Sequence, residues 1–293
     1  MRTVNTTRYH SSTAISTMVS REFAFTGKTA PVIGQGTWQM KKDAVEALRA
    51  GIALGMTHID TAEMYTGAEE IVAEAIQGRR NGIFLVSKVL PSNASHKGTL
   101  RACDASLRRL KTDYLDVYLI HWWSGASPIS ETMRAMEDLV TAGKVRHIGV
   151  SNFDVEQLKL AQRALSRERI ACNQVMYHLR SRGIERRVLP YCEAQQIAVV
   201  GYSPFGQGDF PAPNSKQGGA LTTIAERHGK TPRQVALNFL TRRENLFAIP
   251  KAGDVSHVRE NAGGAGWNLG PDDIELIEEA FPLPPKDAPL DML

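Results

Sequence analysis

The chain has 293 residues, a net charge of +4 and a pI near 9.0, with 42% hydrophobic and 23% charged residues. That is ordinary globular composition, with apolar material for a full core and length for one α/β barrel of about 250 residues or two smaller domains. Basic residues are scattered and their densest clusters are doublets (Arg79-Arg80, Arg186-Arg187, Arg242-Arg243), which argues against a nucleic-acid groove, and no apolar run is long enough to span a bilayer.

In chain order, residues 1–21 come first. They hold Arg2, Arg8 and Arg21 among many Ser and Thr, with no acid before Glu22. We read them as a disordered leader, or an early start with Met18 as the true one, ahead of a single domain over 22–293. An organellar transit peptide is the competing reading, but no apolar periodicity supports its amphipathic helix.

From residue 32 the chain alternates. Short β-branched runs fall at Val32-Ile33, His58-Ile59, 84–86, 115–120, 147–150, 172–176, 198–202 and 247–249. Between them lie helical stripes: Val45, Leu48 and Ile52; Leu100, Cys103, Leu107 and Leu110; Met133, Met136 and Val140; Leu158, Ala161 and Leu165. "TPRQ" at 231–234 is a capping box opened by Pro232. "PDDIELIEEAF" is an extra C-terminal helix before an irregular, Pro-rich tail. Strand and helix alternating so evenly, with no internal repeat or linker, predict a single-domain (β/α)8 TIM barrel rather than a doubly wound sheet. Three widely spaced cysteines, Cys103, Cys172 and Cys192, lack any C-x-x-C and predict reduced thiols in a cytoplasmic setting.

The catalytic face of such a barrel is where its strands end. There the sequence puts Asp60, with Tyr65 in the following loop, then Lys88, His121, Ser151-Asn152, Gln174, Tyr202 and Lys251. Singly, each has a bland account: a satisfied structural histidine, a solvated lysine, a tyrosine packed with its hydroxyl in water. Seven successive strand ends bearing polar groups are less easily dismissed. Tyr is a poor acid near neutrality, a neighbouring ammonium favours its phenolate, and a buried ammonium needs a carboxylate. Asp60 would keep Lys88 charged, Lys88 would make Tyr65 a usable proton donor, and His121 would donate to a developing oxyanion or relay a proton.

The phrases "GQGTW" (34–38), "GMTHIDTAEMY" (55–65), "LVSKV" (85–89), "DYLDVYLIHW" (113–122), "GKVRHIGVSNF" (143–153), "NQVMYH" (173–178), "GYSPFGQG" (201–208) and "AIPKAG" (248–253) together resemble the aldo-keto reductase superfamily over about residues 28–281. The resemblance implies an NADPH-dependent reduction of aldehydes or ketones with Tyr65, Asp60, Lys88 and His121 as catalytic tetrad. It implies Ser151, Asn152 and Gln174 on the nicotinamide carboxamide and Tyr202 stacked on the ring. Ser203, Phe205, Gly206 and Gly208 form the pyrophosphate loop, Lys251 meets the 2′-phosphate, and Asn261 meets adenine. Trp38, Met64, Trp122 and Trp123 would line the mouth of the pocket, unless one or both of the adjacent tryptophans pack against neighbouring loops; of the two, Trp122 resembles a substrate-side aromatic. Ala252 stands where the family often has Ser or Thr, and His257 where it often has Arg. Both departures weaken the phosphate site, so NADH use is kept beside NADPH, with His257 still counted among the cofactor-binding residues. The short tail implies an open pocket and a broad substrate range, and the family implies a monomer.

Competing readings are fewer. "GQGTWQ" lacks the third glycine of a Rossmann fingerprint, Tyr65 and Lys88 are too far apart for a short-chain reductase helix, and the dispersed histidines give no metal site. A nicotinamide-binding, redox-sensing subunit of a cation channel also resembles this chain. A cofactor-free lyase with Lys88 as Schiff base would leave Tyr202, Ser203 and Lys251 without a role.

Overall fold

The computed structural model describes residues 18–292. Its main sheet has eight parallel strands in chain order: β3 (Gln35–Gly36), β4 (His58–Asp60), β5 (Phe84–Val89), β6 (Leu115–Ile120), β7 (Val145–Ser151), β8 (Ile170–Met176), β9 (Ala198–Tyr202) and β10 (Leu246–Ala248). Parallel bridges Ile33–Ala248 and Gly36–Lys251 join the first strand to the last and close a (β/α)8 barrel. The eight predicted runs all lie on or beside these strands, and the short run Val32-Ile33 contributes the closing bridge rather than the strand proper.

Helices ring the barrel: α1 (Val45–Ala53), α2 (Ala68–Ala75), α3 (His96–Leu110), α4 (Ile129–Thr141), α5 (Val155–Ala164), α6 (Val188–Ala194), α7 (Lys216–His228), α8 (Pro232–Leu240), α9 (Val255–Ala262) and α10 (Pro271–Ala280). Their apolar stripes bury Leu48, Cys103, Leu107, Met133, Met136, Leu158 and Ala161 against the outward faces of the strands. α9 packs on α1 and completes the ring. At α8 the capping box forms as the sequence implies: Gln234 N–H donates to Thr231 Oγ1 and Thr231 N–H to Gln234 Oε1 at 3.0 Å, with Pro232 in the first turn. The extra C-terminal helix is α10, which lies against α7.

Side chains alternate along each strand, so parity decides what the interior holds. Ile59, Leu85, Tyr118, Ile120, Ile148 and Val150 join the helix-facing core, while Phe84, Val86, Val117, Leu119, Cys172 and Val200 fill the barrel. Continued two residues on, the inward register of β5, β6 and β8 arrives at Lys88, His121 and Gln174. Polar side chains reach the rim because they keep the core's own alternation to its last step.

The opposite end is plugged. β1 (Ser20–Glu22) pairs antiparallel with β2 (Thr29–Pro31), and Phe23, fully buried, sits 4.7 Å from the Phe84 ring and 5.0 Å from Phe247. Val32 N–H donates to the Val19 carbonyl at 2.9 Å, and Met18 and Val19 pack on the interior cluster. Residues 18–21, which fall within the expected leader, thus pack on the interior cluster or pair in β1. Three exposed or half-buried residues in β1 carry no periodicity of their own, and tertiary contacts order them: the seating of Phe23 and the Arg21 guanidinium, which donates to the Thr241 and Arg243 carbonyls. The reading of residues 1–17 lies outside the described residues.

Candidate active site

β4 and β5 set the centre of the rim. Lys88 Nζ lies 2.5 Å from Asp60 Oδ1 and donates to the Thr61 carbonyl at 2.9 Å; the lysine is fully buried and Asp60 nearly so. Burial alone would strip Lys88 of its proton, but the Asp60 charge and then Tyr65 outweigh it and hold the ammonium above its ordinary pKa. Asp60 Oδ2 accepts from Gln174 Nε2 at 2.7 Å. Gln174, expected on a carboxamide, thus also fixes the carboxylate that fixes the lysine.

Lys88 Nζ lies 5.2 Å from the centre of the Tyr65 ring. Burial raises the Tyr65 pKa above 10, Lys88 pulls it down through its charge and a hydrogen bond, and Asp60 adds a smaller upward push. The net is upward, opposite to the lowering expected from Lys88 alone, because desolvation is the larger effect. The phenol therefore stays protonated through the physiological range, as a proton donor requires. The His121 ring stands edge-on to Tyr65 at 5.7 Å. Burial and then Lys88 push His121 down to about 3, so it is a neutral imidazole suited to donating a hydrogen bond and unsuited to relaying a proton as imidazolium. Glu63, beside Tyr65 in sequence, turns away and accepts from Leu90 N–H at 2.6 Å, tying the next loop.

These groups face a cavity of about 460 Å3. Asp60, Tyr65, His121, Ser151, Asn152, Gln174 and Tyr202 all reach it. Asn152 adopts φ 61°, a left-handed conformation that Asn tolerates better than most residues, at the turn leaving β7. Its amide donates to the His121 carbonyl at 3.2 Å, and Tyr202 OH donates to its Oδ1 at 2.9 Å. Ser151 Oγ donates to the Gln174 carbonyl at 2.8 Å. The predicted carboxamide partners thus form one connected polar wall.

Ser203 and Lys251 also line a second cavity of about 600 Å3, with Phe205, Gly208, Arg233 and Glu260. Two chambers joined at Ser203 and Lys251 fit the two halves of a dinucleotide: a polar wall beside the tetrad, and a cation-flanked groove beyond. The loop between them carries Ser203, Gly206, Gln207 and Gly208 at positive φ, and a Cβ on Gly208 would meet nothing within 4 Å, leaving its backbone open to phosphate.

Not every predicted cofactor residue reaches this trough. His257 is exposed and held by Asp254, Nδ1 to Oδ2 at 2.6 Å, and does not line the groove. Asn261 is buried while its neighbour Glu260 lines the wall, and Gly206 faces Asp209 and His178 from within the loop. Sequence reasoning missed Arg233, Phe210 and Glu260, since only the meeting of α8 with the loop after β9, and of α9 with α8, brings them to the groove.

On the substrate side Trp38, Met64 and Trp122 line the first cavity. Trp123 turns away, donating to the Ser127 carbonyl at 3.0 Å. The tail after α10 is irregular, as expected, and runs back toward the mouth. Arg187 pairs with Asp287 at 3.0 Å, Ser181 bonds Asp291, and Met292 reaches the cavity wall.

A closed barrel with a buried Lys–Asp pair under a tyrosine and a histidine, beside a two-chambered trough, defines a nicotinamide-linked carbonyl reductase site. The Aldo/keto reductase family model matches residues 32–281, and the chain belongs to that family. It is 43% identical over 285 residues to the methylglyoxal reductase YeaE of Escherichia coli, covering 94% of this chain and all of that one. The glyoxal reductase of Bacillus subtilis is 35% identical over 258 residues, 86% of this chain and 89% of that protein. An aldo-keto reductase from Klebsiella pneumoniae, solved in complex with NADPH, superposes with a TM-score of 0.88 at 42% identity, over 94% of this chain and 100% of that chain.

Proposed function

We propose that this protein reduces small aldehydes and ketones to alcohols, with Tyr65 as the proton donor, in the manner of an NADPH-dependent aldo-keto reductase. The reading is carried by the buried Lys88–Asp60 pair at 2.5 Å beneath Tyr65 and His121. When bound, the reduced nicotinamide supplies the hydride to the carbonyl carbon. Ser151, Asn152 and Gln174 hold the carboxamide and Tyr202 flanks the ring; Lys251 and the 203–208 loop hold the phosphates. Tyr65 gives its phenolic proton to the carbonyl oxygen, so hydride and proton together make the alcohol. Lys88 stabilises the phenolate left behind, Asp60 keeps Lys88 charged, and neutral His121 orients the oxygen.

The reductases among the relatives support an enzyme over a redox-sensing subunit. Two act by name on methylglyoxal and glyoxal. With Met292 narrowing an aromatic mouth, we assign small 2-oxoaldehydes as the favoured substrates and NADPH as the favoured cofactor, acting in a monomeric, single-domain cytoplasmic protein. The three buried, unpaired cysteines suit that compartment. Tyr65→Phe should lower kcat for methylglyoxal by ~10³-fold, within the range for a lost general acid, while the NADPH Kd moves less than ~3-fold. Parallel loss of both would make Tyr65 a structural residue.

A further inference from the structure

Arg233 stands on the first turn of α8 and lines the second chamber together with Lys251. Its guanidinium carbon lies 5.1 Å from the centre of the Phe205 ring and 5.4 Å from that of Phe210. The two rings meet edge to face at 5.8 Å. Among the described residues no carboxylate forms an ion pair with it. The aromatic bed holds the planar cation by its face and leaves its N–H edge free for an oxyanion.

The rest of the groove makes that edge matter. Ala252 has no side-chain donor, and His257 pairs with Asp254. Lys251 is then the other cation on the chamber, and Glu260 its carboxylate. A ligand carrying phosphate there meets two cations and one acid, and loses half of the positive charge if Arg233 goes.

We infer that Arg233 is a phosphate-binding residue for the dinucleotide, acting with Lys251 as the second cation that positions 252 and 257 do not provide. This rests on reading the trough as a dinucleotide site. Phe205 and Phe210 are positioning residues that set the guanidinium plane.

The test is the equilibrium Kd of NADPH and NADH, followed by calorimetry with no carbonyl present, for wild type, Arg233→Gln and Arg233→Lys. Arg233→Gln should weaken NADPH about 10-fold or more, and Arg233→Lys should recover part of the loss, since the charge returns without the fork. A loss confined to NADPH assigns the contact to the 2′-phosphate, and an equal loss for NADH assigns it to the pyrophosphate; both support the inference. NADPH binding by Arg233→Gln within about 2-fold of wild type overturns it. Wild-type protein that binds neither nucleotide would overturn the trough reading itself, and this assignment with it.

Discussion

At Asp60 a carboxylate ends a strand inside a barrel, and its environment answers the charge twice: Lys88 on one oxygen and the Gln174 amide on the other. Removing one partner of a buried pair leaves the other uncompensated, at about 3–5 kcal/mol. Asp60→Asn keeps the shape but removes the charge, so Lys88 would lose its proton to burial and no longer stabilise a phenolate. We expect a urea midpoint lowered by a few kcal/mol of stability together with a drop of ~10²-fold or more in carbonyl reduction. Wild-type turnover in this variant would show that the Lys88 charge is dispensable. The meeting of Tyr65, Lys88 and Asp60 was legible because their residue types are chemically odd at strand ends. The ranking of forces on Tyr65 was not, since a sequence shows its neighbours but not the depth of burial.

Strands must also fit one another to bring these groups together. Between β7 and β8 the register shifts, Ile148 pairing with Ile170 but Gly149 with Cys172, so Ala171 is an extra residue on β8. The bulge sets Ser151 opposite Gln174, the pair at the reaction cavity. Gly149 permits it: a Cβ there would lie 2.3 Å from Leu119 Cδ2 and 3.1 Å from Cys172 Cβ. Gly149→Ala should cost about 1–3 kcal/mol through overpacking, read as a lower thermal midpoint. If the shift of Ser151 and Gln174 is transmitted, NADPH affinity also falls; an unchanged midpoint would mean that Leu119 moves aside freely. Periodicity revealed α1, α3, α4 and α5, and the capping box and the C-terminal segment revealed α8 and α10, but α2, α6, α7 and α9 were missed; α7 buries only four residues, Gly218 among them.

Across the whole molecule the two barrel ends are built on opposite terms, a polar rim and an aromatic plug. His58 belongs to the plug, fully buried beside Phe23, Phe84 and Phe247, and burial lowers its pKa from 6.5 to about 4. The unfolded chain takes up a proton below pH 6.5 and the folded one only near 4, so stability falls as pH drops through that window. His58 alone contributes about 2 kcal/mol of that loss between pH 7 and 5. His58→Leu should flatten the fall in urea midpoint over this range relative to wild type; an equal slope would remove His58 as its source. The alternation of strands and helices and the order of polar strand ends were in the amino-acid sequence, because side-chain parity and burial patterns are local. The plug formed by residues 18–31 and the approach of Arg233 and Met292 to the cavities were decided by tertiary structure. Each depends on segments far apart in the chain meeting in space, and no local period encodes that distance.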